Sequence, residues 1–151
     1  SEPYMENSQV VVVMEDSGIE TLADLAGKIV EVQADSSAEA ALKEMTDLTS
    51  TFGTLQTTPD YNTAFMDLEM GSVDAIAMDV IVAGYQMQER EGNFKILDET
   101  LASEEYAIGF KKGNTELCEK VQKTLEEMAE DGTMAEISKK WFGEDITTIG
   151  K

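Results

Sequence analysis

Thr21-Leu22-Ala23-Asp24-Leu25-Ala26-Gly27-Lys28-Ile29-Val30-Glu31-Val32-Gln33-Ala34-Asp35-Ser36-Ser37-Ala38-Glu39 holds a helix, a strand and the start of a second helix in 19 residues. Thr21 can cap a short helix, Asp24 follows three positions later, and Gly27 closes it. Lys28 to Gln33 alternates polar and apolar residues, the pattern of a strand. Ser36 with Glu39 three residues on is a capping box, and Ala40, Ala41, Leu42 and Met45 continue a helical face.

Outward from that stretch the alternation repeats. Val10-Val11-Val12-Val13 is a β-branched run that reads as a fully buried strand. Phe52 to Gln56 predicts another strand. Asp60 caps a helix that buries Ala64, Phe65 and Leu68 and stops at Gly71. Val73 to Met78 predicts a short strand and Asp79 to about Glu89 a helix. Phe94–Leu97 and Tyr106–Phe110 predict further strands. Leu117, Val121, Leu125 and Met128 fall at helical spacing, and a last helix ends near Trp141-Phe142. Strands alternating with helices imply an α/β fold, a mainly parallel sheet flanked by helices.

The chain has 151 residues and a net charge of −20, with 42% hydrophobic residues, enough for a core despite the acidity. A surface this negative repels phosphate backbones and anionic headgroups, which excludes a nucleic-acid role. The charge is uneven: residues 111–151 hold seven lysines against nine acids, whereas residues 1–110 hold four bases against 22 acids. Val10 to Met14 is too short an apolar run to cross a bilayer, and Ser1-Glu2-Pro3-Tyr4 lacks the pattern of a signal peptide. The chain therefore reads as a mature or trimmed soluble piece. With no histidine and one cysteine, Cys118, it has no internal disulfide, no Cys/His zinc site and no Ser–His–Asp or Cys–His pair. No cofactor, metal site or catalytic residue is expected. Cys118 reads as a small hydrophobe on a helix face. Glu104-Glu105 and Glu126-Glu127 read as solvated faces, and Met66, Met70, Met78 and Met87 as core fillers.

In open α/β sheets ligands gather beyond the carboxyl ends of strands. Two places meet that rule. Ala34-Asp35-Ser36-Ser37 joins a strand to a helix, where N–H groups and the helix dipole favour an anion and two hydroxyls add hydrogen bonds. Ser36 acting only as a helix cap is the plainer reading, and the Asp35 charge opposes an anion there. Asp79, at the exit of the Val73–Met78 strand, can accept hydrogen bonds from a ligand ammonium or simply cap its own helix. Together, an anion site beside a cation-attracting carboxylate suits a zwitterionic amino acid.

Several segments also resemble the type II solute-binding proteins that deliver amino acids to ABC importers. Ser1-Glu2-Pro3-Tyr4 and Val10–Val13 resemble the entry into that family's crossover. Leu22 to Gln33 is similar to its "dLkGKkVgVq" segment, and Gly71-Ser72-Val73-Asp74-Ala75-Ile76 with Asp79 to its "G-x-vDA-x-x-x-D" stretch. Glu105 to Asn114 resembles the return crossover, and Asp131-Gly132-Thr133 through Lys140-Trp141-Phe142-Gly143 the C-terminal "DGT-x-x-x-I-x-x-KWFG". The resemblance implies a periplasmic-binding-protein-like second lobe over 14–105. Residues 1–13 and 106–151 would be crossover strands and the C-terminal helices of an incomplete first lobe. It implies that Ser36 and Ser37 hold a ligand α-carboxylate and Asp79 its α-amino group, although Asp35 stands where the family has glycine. The first-lobe arginine that clamps the carboxylate has no counterpart, since the chain's one arginine, Arg90, lies at a helix end away from both motifs.

The expected function is non-catalytic binding of a polar amino acid outside the cell, in the periplasm or from a lipid anchor, with an ABC permease as partner. A dehydratase-like enzyme on the same fold is the alternative, opposed by the missing histidine and the lack of a general acid near Asp79. A ligand-sensing receptor lobe is another. Leu117, Val121, Leu125, Met128, Trp141 and Phe142 form an apolar face that, uncovered, is expected to pair two copies of the chain through the C-terminal helices.

Overall fold

A computed structural model of the chain describes residues 1–143 and 145–150. Glu144, and Lys151 at the end of the expected C-terminal segment, lie outside the described residues. Contacts divide the chain into two units, Ser8–Ser103 and Ser1–Asn7 with Glu104–Lys151. Residues 8–13 count with the larger unit because they pair inside its sheet. Two strands, β1 (Met5–Met14) and β6 (Ala102–Tyr106), pass from one unit into the other.

The larger unit is a sheet with helices on both faces. Its other strands are β2 (Ile29–Gln33), β3 (Thr54–Thr58), β4 (Ala75–Asp79) and β5 (Phe94–Ile96), in the order β3-β2-β4-β1-β5. The α/β class stands, but the sheet is mixed. β2 runs parallel to β3 and β4, whereas β1 runs antiparallel to β4 and β5. Parallel neighbours need a helical crossover between them, and α1 (Ser37–Glu44), α2 (Thr46–Thr49) and α3 (Tyr61–Glu69) supply it. α4 (Val80–Gln88) follows β4.

The four valines of β1 explain why the sheet is covered twice. Val11 and Val13 join Val30, Val32, Ala38, Leu42, Ala75 and Ala77 on one face. Val10 and Val12 join Ala64, Phe65, Leu68, Ile76 and Met78 on the other. A strand buried on both faces needs apolar residues at every position, not every second one. Each such side chain contributes about 1.5–3 kcal/mol relative to an exposed one. The expected helix faces hold: Ala64, Phe65 and Leu68 are the buried residues of α3. Met78 is buried and Met87 packs on the core, but Met66 and Met70 are 54% and 68% exposed, since α3 turns them to solvent.

Thr21 to Gly27 forms a 3-10 helix over Leu22–Leu25, with the Asp24 carboxylate accepting from the Glu20 and Thr21 N–H groups. β3 starts two residues later than expected. Phe52 and Gly53 are used in the preceding turn, where Phe52 N–H donates to Thr49 O and Gly53 N–H to Lys28 O.

The smaller unit carries α5 (Thr115–Glu130) and α6 (Thr133–Phe142). Glu6 N–H donates to Ile146 O and Thr148 N–H to Tyr4 O. The strand expected over Tyr106–Phe110 is displaced to Ala102–Tyr106. Tyr106 O accepts from Tyr4 N–H, but beyond it the Ile108 N–H goes to the Ser1 hydroxyl, so a side chain replaces the ladder. Glu104 is more than a solvated face: its Oε1 accepts from Nδ2 of the buried Asn7 at 2.6 Å. Cys118 is half-buried on α5. Among the described residues no helix is long and apolar enough to cross a membrane.

Candidate functional site

Three parallel strands end side by side, in the order β3-β2-β4, and each leads into a helix capped by its own first polar residue. Val32 of β2 lies opposite Ala77 of β4, and Gln33 opposite Thr58 of β3. Ser36 therefore stands three residues beyond Gln33, and Asp79 two residues beyond Ala77, at the carboxyl ends of neighbouring strands. The structure brings Ser36, Ser37 and Asp79 to the carboxyl ends of the neighbouring strands β2 and β4.

Both plainer readings are also present as geometry. Ser36 Oγ accepts from Glu39 N–H at 3.1 Å. Asp79 Oδ1 accepts from Ile81 N–H at 2.9 Å and Val82 N–H at 3.2 Å. Capping and ligand binding are compatible, because a carboxylate and a hydroxyl each have more than one hydrogen-bonding position. The first intrahelical bond of α1 runs from Ala40 N–H to Ser36 O, so the Ser37 and Ala38 N–H groups project from the helix start. Ser37 is exposed and Ser36 half-buried.

Asp35 has φ +59°, the left-handed region that glycine enters without cost. Its N–H donates to Glu39 Oε2 at 2.8 Å, and Lys43 pairs with Glu39 Oε1 at 2.9 Å. The Lys43 hydrogen bond, then that of Asp35 N–H, hold the Glu39 carboxyl below the usual carboxylate range. The Asp35 and Glu39 carboxylates oppose an anion at this turn, and Lys43 offsets part of that.

Sequence reasoning missed Tyr61. Asp60 caps α3 by accepting from Thr63 N–H at 2.9 Å, and Tyr61 is the first residue of that helix. Burial pushes the Tyr61 phenol up, a hydrogen bond from the Ser36 hydroxyl draws it back, and the Asp79 charge raises it further. The Tyr61 phenol thus lies within electrostatic reach of both expected binding elements. Applying the strand-exit rule to the third strand, β3, would have found it. Arg90, expected away from both motifs, donates from Nη2 to Asn62 Oδ1 at 3.2 Å, one residue after Tyr61.

The family model of bacterial extracellular solute-binding proteins, family 3, matches residues 1–144. The chain is 31% identical to the L-cystine-binding protein TcyJ of Escherichia coli (strain K12), over 97% of this chain and 54% of that protein. It is 33% identical to the L-cystine-binding protein TcyA of Bacillus subtilis (strain 168), over 97% of this chain and 53% of that protein. Among solved structures, a substrate-binding protein of an ABC uptake transporter from Streptococcus pneumoniae with bound histidine superposes with TM-score 0.83. It is 31% identical and is covered over 98% of this chain and 62% of that one. An ancestral arginine-binding protein bound to arginine gives TM-score 0.76 at 41% identity, over 95% and 63%. These relatives are named as binding proteins, not enzymes. The chain spans about half the length of the curated relatives it matches. A match along nearly the whole chain means that the chain belongs to the bacterial extracellular solute-binding proteins, family 3.

Proposed function

We propose that this chain supplies one side of an amino-acid site in the extracytoplasmic binding protein of an ABC importer. The observation that carries the reading is the placement of Ser36, Ser37 and Asp79 at the ends of the neighbouring parallel strands β2 and β4. The α1 start and its two serines receive the ligand α-carboxylate. Asp79, oriented by its bonds to Ile81 and Val82 N–H, receives the α-ammonium. The role is binding without catalysis. In the whole protein a second lobe closes over the ligand and the closed form engages the permease, from the periplasm or from a lipid anchor.

The same reading bears on the chain by itself. Leu117, Trp141 and Phe142 are 47%, 66% and 37% exposed, while Val121, Leu125 and Met128 of α5 are half-buried. Two copies of the 151-residue chain would pair through α5 and α6. Calorimetric titration with L-cystine, L-arginine, L-glutamine and L-histidine tests the binding reading, with D-enantiomers as controls. Saturable binding of at least one L-amino acid supports it. Heats no different from buffer for all four, in the chain and in its full-length parent, overturn it.

A further inference from the structure

Two of the nine methionines are exposed, and they are neighbours. Met66 is 54% and Met70 68% exposed, whereas the other seven are buried or half-buried. They stand four residues apart at the end of α3, and Met70 N–H donates to Met66 O at 3.0 Å, so one helical turn carries both. Residues four apart share a helix face. The opposite face of α3 buries Ala64, Phe65 and Leu68 in the core that holds Met78, and Met66 and Met70 stand outside that cluster.

A thioether sulfur is open to two-electron oxidation by peroxides, and solvent access decides which sulfur reacts. Hydrogen peroxide is uncharged, so neither the net charge of −20 nor the neighbouring Asp67 and Glu69 repels it. We propose that Met66 and Met70 form a peroxide-oxidation site on the outer face of α3, a modification that the fold accepts without loss of stability. The sulfur lone pair attacks one peroxide oxygen and the O–O bond breaks. The sulfur keeps that oxygen as a sulfoxide and is oxidised by two electrons. The peroxide is reduced, and its second oxygen leaves as water after a proton shift. At Met66 and Met70 water solvates the new polar oxygen. At Met78 the same oxygen would lie in an apolar cluster with Ala64, Phe65 and Ile76, and peroxide reaches that sulfur only when the structure opens. Methionine sulfoxide is reduced back by dedicated reductases, so the modification is reversible.

The test exposes the folded 151-residue chain to hydrogen peroxide and follows each methionine by peptide mass mapping, which reads Cys118 separately. Met66 and Met70 should each gain one oxygen about tenfold faster, or more, than Met78 and Met134, which are 0% and 9% exposed. In denaturing urea the four should react at one rate, because unfolding removes the difference in access. Equal rates for all four in the folded chain overturn the assignment. The Met66→Leu, Met70→Leu double variant keeps the helix and its apolar surface and should lose the fast phase. A fast phase that survives in it also overturns the assignment. Chain oxidised only at Met66 and Met70 should unfold at the urea midpoint of untreated chain. A lower midpoint that follows oxidation of these two residues overturns the claim that the fold accepts it.

Discussion

Gln56 Nε2 donates to Glu31 Oε1 at 3.0 Å across the β2–β3 pair, under α3, while the other carboxylate oxygen of Glu31 is buried without a hydrogen bond. Glu31 is only 3% exposed. Burial raises its pKa first, the Gln56 bond lowers it, and the Asp67 charge raises it again. A carboxyl whose folded pKa lies above its unfolded value contributes stability at low pH, and this is lost as pH rises through the folded value. Glu31→Gln should therefore stabilise the chain at about pH 7.5, by about 1 kcal/mol or more, because it removes a buried charge and keeps an oxygen for the Gln56 bond. The gain should shrink towards pH 4 or so, where the glutamate binds its own proton. Urea unfolding at both pH values measures it, and an equal gain at both would refute the account.

Gly53 is required for space. A Cβ there would lie 2.5 Å from the Gly27 carbonyl oxygen and 2.9 Å from its carbon, both backbone atoms. Gly53→Ala should cost about 1–3 kcal/mol, as overpacking does, seen as a lower urea midpoint at unchanged slope.

Arg90 ties α3 to the end of α4. Its guanidinium faces the Phe65 ring and donates to Asn62 Oδ1 at 3.2 Å and Gln86 Oε1 at 3.3 Å. Arg90→Ala should destabilise by about 1–2 kcal/mol through lost cation–π contact and stem packing. Arg90→Lys should recover little of this, because an ammonium cannot reproduce the planar fork. Thermal unfolding of the two variants separates the charge from the geometry.

For the binding site, Asp79→Ala should weaken amino-acid binding by about 2 kcal/mol or more, leaving the ligand ammonium unpaired. Unchanged affinity by calorimetry would reduce Asp79 to a helix cap. Ser37→Ala should cost only about 1 kcal/mol, since the N–H groups of the α1 start remain. Abolished binding in that variant would mean that the hydroxyl, not the helix start, carries the anion.

Association is checked by light scattering on the 151-residue chain. A dimer that reverts to monomer on Trp141→Glu is expected, since a charge at a 66% exposed position of the face would be buried on pairing. A monodisperse wild-type monomer contradicts the pairing.

What the sequence determined by itself was local. Ser36 with Glu39, Asp60 with Thr63, and Asp79 with Ile81 and Val82 are caps made within three residues, so spacing alone reveals them. The Val10–Val13 run announced a strand buried on both faces, and the strand–helix alternation announced the α/β class. The tertiary structure decided the rest. The direction of β1 against β4 joins residues more than 60 positions apart, and a β-branched run pairs equally well either way until its neighbours are in place. The exposure of Met66 and Met70 depends on how α3 lies on the sheet, not on their hydrophobicity. Tyr61 reads as an ordinary first helical residue, and only the β3–β2 register sets the start of its helix level with that of Ser36, because hydrogen bonds between strands act across a sequence distance that no local pattern records.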